Sequence, residues 1–213
     1  MADSGAEAVV QVHGRIADIG RAAWDACAAP LGDPFVSYDF LDALEQSGSV
    51  APRAGWAPRR LSVLGPDGET QAVMPLYLKS HSRGEYVFDH GWAEAFERAG
   101  GAYYPKLQVA VPFTPVTGPR FLVRPGPLAK TVHTALVQGL VEVTNSNRLS
   151  SAHATFLTEA EWRDLGSRGF LQRTDQQFHW RNEGYGCFED FLAALSSRKR
   201  KTVRRERKEA LAP

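Results

Sequence analysis

Along this chain apolar residues either alternate with polar ones or recur every three to four positions, in blocks short enough to assign one by one. Val9 to Val12 reads as a strand. From Ile16 to Ala29, the residues Ile16, Ile19, Ala23, Trp24 and Cys27 fall at helical spacing, and Pro30 and Gly32 end that helix. Ser37 is placed to cap a second helix with Phe40, Leu41 and Leu44 on one face and Gly48 beyond its end. The runs RRLSVL (59–64) and TQAVMPLYL (70–78) predict a hairpin across Gly65-Pro66-Asp67-Gly68, where proline presets φ and glycine supplies a positive one. GEYVF (84–88) predicts another short strand. GWAEAFERAG predicts a helix closed by Gly100 and Gly101.

KLQVAVPF (106–113) predicts a central strand that stops in TPVTGPR, because Pro112, Pro115 and Pro119 cannot donate to a ladder. After Pro125-Gly126-Pro127, Leu128, Val132, Ala135, Leu136, Leu140 and Val143 repeat with the helical period. SSAHATFL (150–157) predicts a strand, Thr158 with Glu161 forms a capping box for the next helix, and FLQRTDQQFHWRN (170–182) predicts extended β structure. A final helix follows Gly184-Tyr185-Gly186, with Phe188, Phe191, Leu192 and Leu195 on one stripe before the sequence turns cationic. This order predicts mixed α/β structure, an α+β arrangement with helices packed on a sheet. Residues 1–184 are expected to form one domain and 185–213 to open a second that is truncated or missing.

Composition narrows the class. With 213 residues, 43% apolar and 23% charged, the chain is neither a disordered tail nor a coiled coil. Cys27 and Cys187 are too far apart to make a disulfide framework, and Asp3 and Glu7 stand where a secretory leader would carry basic residues. Runs such as AVMPLYL are far shorter than the roughly 20 residues a spanning helix needs. A cytoplasmic protein with no transmembrane segment is therefore expected. The net charge of +1 hides an asymmetry: RKRKTVRRERK (198–208) holds eight basic residues and one acidic, leaving 17 basic against 23 acidic elsewhere. Such a block concentrates positive potential and draws anionic partners.

No Walker loop, G-x-G-x-x-G, G-x-S-x-G or H-E-x-x-H occurs, so nucleotide hydrolysis, dinucleotide binding, α/β-hydrolase chemistry and zinc proteolysis lose their usual support. The six histidines show no close ligand pair, so no metal site is expected. PFTPVTGPR (112–120) lies where a strand ends before a long helix, a place where backbone N–H groups suit phosphate oxygens; Thr114, Thr117 and Arg120 add donors. The alternative is a purely structural Pro/Gly loop. Asp89 or His90 could move a proton to or from an amine, or could simply cap a helix, while Trp92, Tyr103 and Tyr104 could wall a groove. The basic run could meet phosphates or be a solvated helix end; it lacks the interleaved aromatics that stack single-stranded bases.

Several blocks together carry a resemblance: DPFVSYDFLDALEQSGSV, PLYLKSHSRGEYVFDHGWAEAFERAG, AYYPKLQVAVPFTPVTGPRFLV and QFHWRNEGYGCFEDFLAALSSRKRKTVRRERK. From Asp33 onward the chain closely resembles bacterial FemAB-like proteins, the GNAT-related family described as peptidoglycan biosynthesis/recognition proteins. The resemblance implies a GNAT-like mixed central sheet flanked by helices, the first of two tandem GNAT domains. It implies transfer of an acyl or aminoacyl group to an amine acceptor such as a phosphorylated peptidoglycan precursor, with acyl-CoA or aminoacyl-tRNA as donor of the complete protein. It also implies that the basic helix, through Arg198, Lys199, Arg200, Lys201, Arg204 and Arg205, faces a phosphorylated substrate or tRNA, and that PVTGP is the loop after the central strand. One departure matters: the Gln/Arg-x-x-Gly-x-Gly/Ala loop of CoA-binding GNAT domains is replaced by PFTPVTGPR, whose prolines lack N–H donors. No cofactor is therefore expected on this half, which alone is expected to be inactive.

The leading expectation is a FemAB-like N-acyltransferase with Asp89 and Tyr104 as catalytic candidates. Trp92, Tyr103, Lys106, Thr114, Thr117 and Arg120, with the basic helix, are its substrate-binding candidates. The alternative is a non-catalytic module that recognises nucleic acid or an anionic envelope precursor through that helix.

Overall fold

Pro75 divides the run that the sequence reads as one strand. It separates β4 (Thr70–Met74) from β5 (Leu76–Lys79), and the two halves enter different sheets. Proline cannot donate a ladder hydrogen bond, so the pairing changes partner there. With β1 (Val9–His13), β3 (Arg60–Leu64) and β7 (Leu122–Val123), β4 makes a four-stranded antiparallel sheet in the order β1-β3-β4-β7. With β2 (Trp56–Pro58), β6 (Lys106–Val109) and β8 (Ala152–Ala154), β5 makes a second four-stranded sheet in the order β2-β5-β6-β8, whose last pair is parallel. The expected mixed sheet is thus split in two.

These elements belong to a computed structural model that describes residues 8–212. The chain divides into two compact units, Met1–Gln172 and Arg173–Pro213.

In the first unit the helices pack where strand alternation sends apolar side chains. Ala72 and Met74 of β4, with Leu61, Val63 and Leu76, meet Val132, Leu136 and Leu140 of α4 (Ala129–Ser146). Val73, on the opposite face of β4, packs with Trp24 and Cys27 of α1 (Arg21–Ala28) and Leu41 of α2 (Tyr38–Gln46). The Trp24 indole is anchored by donating to the Val36 carbonyl at 2.8 Å. Arg60 is buried beside these helices, paired with Glu45 at 2.9 Å and lying over the Tyr77 ring.

The differences from the sequence reading have local causes. The first helix is interrupted at Gly20, whose φ of +87° ends a 3-10 turn at Ile16–Asp18 before α1 begins. Gly84 to Phe88 forms no strand: Tyr86 has φ +56°, and Glu85 turns inward. The central strand stops at Val109, short of Phe113. Residues 170–182 pair with no strand among the described residues. α3 (His90–Arg98) and α5 (Glu159–Ser167) form as expected, α5 with its Thr158–Glu161 capping box. In the second unit the expected single helix is two, α6 (Phe188–Ala194) and α7 (Ser197–Ala210), because Leu195 turns extended and Ser196 takes the cap position.

Candidate functional site

Strand register assembles the site. Across the second sheet Trp56 lies opposite Lys79, and Lys79 opposite Lys106, so an indole and two lysines form one row. Alternation sends Leu76, Leu78, Leu107 and Val109 into the apolar core and leaves Lys79 and Lys106 on the other face. Both lysines are completely buried. A buried ammonium requires partners, and the segment between β5 and α3 delivers them.

Glu85 and Asp89 turn in from that segment, and Lys106 Nζ donates to Glu85 Oε2 at 2.8 Å and to Asp89 Oδ2 at 2.7 Å. Lys79 Nζ lies 3.8 Å from Glu85 Oε1, donates to the Arg83 carbonyl at 3.3 Å and sits 3.4 Å above the Trp56 ring. Asp89 Oδ2 also accepts from the Tyr103 hydroxyl at 2.8 Å and the Ser82 hydroxyl at 2.9 Å. Ser82 Oγ is in turn 2.7 Å from the Tyr104 hydroxyl. Tyr104 is half-buried, whereas Ser82, Glu85, Asp89 and Tyr103 are buried. Asp89 stands at the N-cap of α3 yet makes no side-chain capping bond, so the capping reading of this residue is replaced by the contacts to Lys106, Tyr103 and Ser82.

The titration of the group follows its surroundings. Burial pushes the Lys79 ammonium down to about 7, with the charges of Lys106 and Arg83 acting in the same direction and Glu85 against it. Burial pushes Glu85 up despite Lys106. At Asp89 burial also acts upward, but the hydrogen bonds from Lys106, Ser82 and Tyr103 outweigh it and hold the carboxyl below its ordinary value. Burial and the Asp89 carboxylate raise the Tyr103 phenol. Asp89 is therefore an anion in the folded protein, and a weak proton acceptor.

The PFTPVTGPR loop is braced from within. Gly84, at φ +80°, leaves room for the Phe113 ring, which an added Cβ would meet at 2.6 Å; Phe113 in turn lies 5.6 Å from Trp56. Thr114 Oγ1 donates to the Pro112 carbonyl, and the buried Arg120 guanidinium donates to the carbonyls of Val116 and Pro119. The N–H groups of Phe113, Thr114 and Gly118 go to backbone carbonyls, and those of Arg120 and Phe121 to Glu161 Oε1, each of the latter at 2.8 Å. The loop follows β6 and precedes α4, with β7 (Leu122–Val123) in between. Thr117 is exposed on the loop, and Trp92 is 65% exposed on α3, one turn after Asp89.

In the second unit the basic residues divide into two groups. Arg200 closes the α6–α7 joint by donating to the carbonyls of Leu192, Ala193 and Leu195, and Arg204 pairs with Glu189 at 2.6 Å. Arg205 pairs loosely with Glu209 at 3.7 Å, while Arg198, Lys199 and Lys201 are exposed. None of Lys79, Ser82 and Glu85 is nominated by the sequence reading; the signal available was two lysines at the ends of adjacent apolar runs, LYLK and KLQV, whose opposition emerges only from register. Among the described residues no group of three His, Cys, Asp or Glu side chains could hold a metal ion, and no helix is long and apolar enough to cross a membrane.

The model of the FemAB-like family, described as peptidoglycan biosynthesis/recognition, matches residues 15–212. Aminoglycoside N-acetyltransferase AAC(6')-Iy, solved in complex with CoA, superposes with a TM-score of 0.50 at 11% identity, covering 86% of this chain and 99% of that one. Aminoglycoside antibiotic 6'-N-acetyltransferase AAC(6')-Ih from Acinetobacter baumannii gives 0.48 at 14% identity, covering 84% and 100%. The ribosomal-protein-alanine N-acetyltransferase of Brucella melitensis biovar Abortus 2308 gives 0.47 at 12%, covering 82% and 99%. At 11% identity the first of these likenesses concerns the fold alone. No curated protein matches the chain.

Proposed function

This chain belongs to the FemAB-like family of peptidoglycan biosynthesis/recognition proteins, and from that premise we propose that it is an N-acyltransferase forming an amide on an amine acceptor. The observation that carries the reading is the connected network Lys106–Asp89–Ser82–Tyr104, which runs from a buried ion pair to a half-buried tyrosine. Amide formation needs the acceptor nitrogen held close to the donor carbonyl, a route for its proton and stabilisation of the developing oxyanion. In this reading Tyr104 touches the acceptor. Asp89 supplies the fixed charge behind Tyr104, Tyr103 and Lys106 hold Asp89 in place, and Trp92 with Thr114 and Thr117 lines the approach. Arg120 acts through the loop that it braces.

The donor in this reading is an acyl-CoA or an aminoacyl-tRNA, and the acceptor is an amine on a cell-envelope precursor. With the N–H groups of Phe113, Thr114, Gly118 and Arg120 already bonded to protein oxygens, this reading favours a donor cradle elsewhere than on this loop. The test is release of CoA, or deacylation of aminoacyl-tRNA, that depends on an added amine across a broad acceptor panel. Amine-dependent release supports the proposal, and none with either donor class overturns it.

A specific observation favours a second reading, a binding module for phosphorylated ligands. Arg204, Arg207 and Lys208 of α7 line a cleft of about 500 Å³ together with Phe188, Leu211 and Glu189, the last paired with Arg204, and Arg207 lies 4.1 Å over the Phe188 ring. That reading expects anion affinity that falls steeply with salt and no turnover.

A further inference from the structure

A hydroxyl donates one proton, and in this network every proton has a single destination. The Ser82 hydroxyl gives its proton to Asp89 Oδ2, an oxygen that also receives Lys106 Nζ and the Tyr103 hydroxyl. Three donors converging on one oxygen, one of them an ammonium, require Asp89 to be an anion and exclude it as a donor. Ser82 has no second proton, so the 2.7 Å contact to Tyr104 can be satisfied only if Tyr104 donates. The outer oxygen of Tyr104 then has lone pairs and no proton to offer.

We infer that Tyr104 is a hydrogen-bond acceptor of fixed polarity, a subsite for the N–H of an uncharged primary amine. The anion at Asp89 polarises both hydroxyls in series, strengthening the Tyr104 oxygen as an acceptor. A ligand that offers only acceptors would face a lone pair and leave both unpaired, which is the stronger form of selectivity. Lys106 Nζ lies 5.8 Å from the Tyr104 ring centroid with its charge matched by Asp89 and Glu85, so no unpaired carboxylate stands there to hold an ammonium. The neutral form is also the one with a lone pair available to attack a carbonyl. The subsite deepens the acyltransferase reading by naming how the acceptor is recognised, and its relevance to catalysis rests on that reading. The binding preference itself does not.

The test uses the full chain and two probes. Methoxyamine is an uncharged primary amine near neutral pH; its N,N-dimethyl counterpart keeps the oxygen and the nitrogen lone pair and has no N–H. Titrations followed by backbone amide NMR should show methoxyamine shifting resonances around residues 82–89 and 103–106, with at least about fivefold weaker binding of the dimethyl probe, the worth of one hydrogen bond. Tyr104→Phe keeps the ring and should lose that discrimination. Ser82→Ala frees the Tyr104 proton and should also bring the two probes to equal affinity, and Tyr104→Phe serves if Ser82→Ala folds poorly. Equal binding of both probes by the unaltered protein, no binding of either, or discrimination that survives Tyr104→Phe overturns the inference. Amine-dependent acyl transfer indifferent to Tyr104→Phe would leave the enzyme reading standing and refute the part of this subsite in it; discrimination without any acyl transfer would leave the subsite standing and overturn the enzyme reading.

Discussion

Lys79 and Lys106 lie directly opposite each other on adjacent antiparallel strands, and both are fully buried. Like charges in that position repel, so the pair persists through what surrounds it: Glu85 bridges the two ammonium groups, Asp89 pairs with Lys106, and the Trp56 face takes Lys79. Four ionisable groups on two strands and one connecting segment thus behave as one unit.

Removing Lys106 leaves Glu85 and Asp89 buried with their strongest partner gone. Lys106→Ala is expected to lower the unfolding free energy by about 3–5 kcal/mol, the usual cost of stranding a buried charge. Urea denaturation measures it. A loss below about 1 kcal/mol would mean that the carboxylates reach water or protonate at no cost.

Lys79 leads to a pH prediction. Its folded-state value of about 7 lies below the ordinary 10.5, because burial opposes the ammonium. Between those values the unfolded chain binds the proton and the folded chain does not, so the contribution of Lys79 to stability is fully present above 10.5 and is lost as pH falls toward 7. Denaturation midpoints should climb with pH through that window. Lys79→Met should flatten the climb, and an unchanged slope in the variant would refute the assignment.

Glu161 performs two tasks, closing the capping box with Thr158 and accepting the N–H groups of Arg120 and Phe121. Thr158→Ala removes only the cap and should cost about 1 kcal/mol. Glu161→Ala strands the loop donors as well and should cost about 2–4 kcal/mol, since hydrogen bonds to charged groups are each worth about 1.5–3. Thermal denaturation of both variants checks the order, and equal losses would show that the loop does not depend on Glu161.

The basic residues of α7 should separate by role. Replacing Arg198, Lys199 and Lys201 with Gln is expected to leave helicity unchanged and to weaken binding to heparin, with a shallower dependence on salt. Arg200→Gln uncaps the α6 carbonyls and should reduce helical content instead. Circular dichroism with salt-dependent binding distinguishes the two, and identical behaviour of all four positions would contradict the division.

The amphipathic elements were legible in the sequence because local periodicity dictates them. The helix from Leu128, the capping box at Thr158 and the hairpin at 65–68 follow from residues within one turn or one loop of each other. The errors came from decisions made at a distance. TQAVMPLYL reads as one strand until Pro75 changes partners, and GEYVF has strand-like residues but is drawn away by the need of Glu85 and Asp89 to reach two lysines. Asp89, Tyr103, Tyr104 and Lys106 were visible as a polar and aromatic concentration in the sequence. Lys79, Ser82 and Glu85 were not, because their significance depends on register.

The cluster also says something about when the molecule is finished. Lys79 comes from a strand end, Ser82, Glu85 and Asp89 from the segment after it, and Tyr103, Tyr104 and Lys106 from beyond a helix. Lys106, Glu85 and Asp89 find one another only when the segment after β5 meets β6, so a version with just one of these two in place would strand a buried charge. The Ser82–Tyr104 contact depends on the same meeting, because Ser82 follows β5 and Tyr104 precedes β6. A change that loosens the pairing of β5 with β6 should therefore lower the fraction of molecules in which this network is formed.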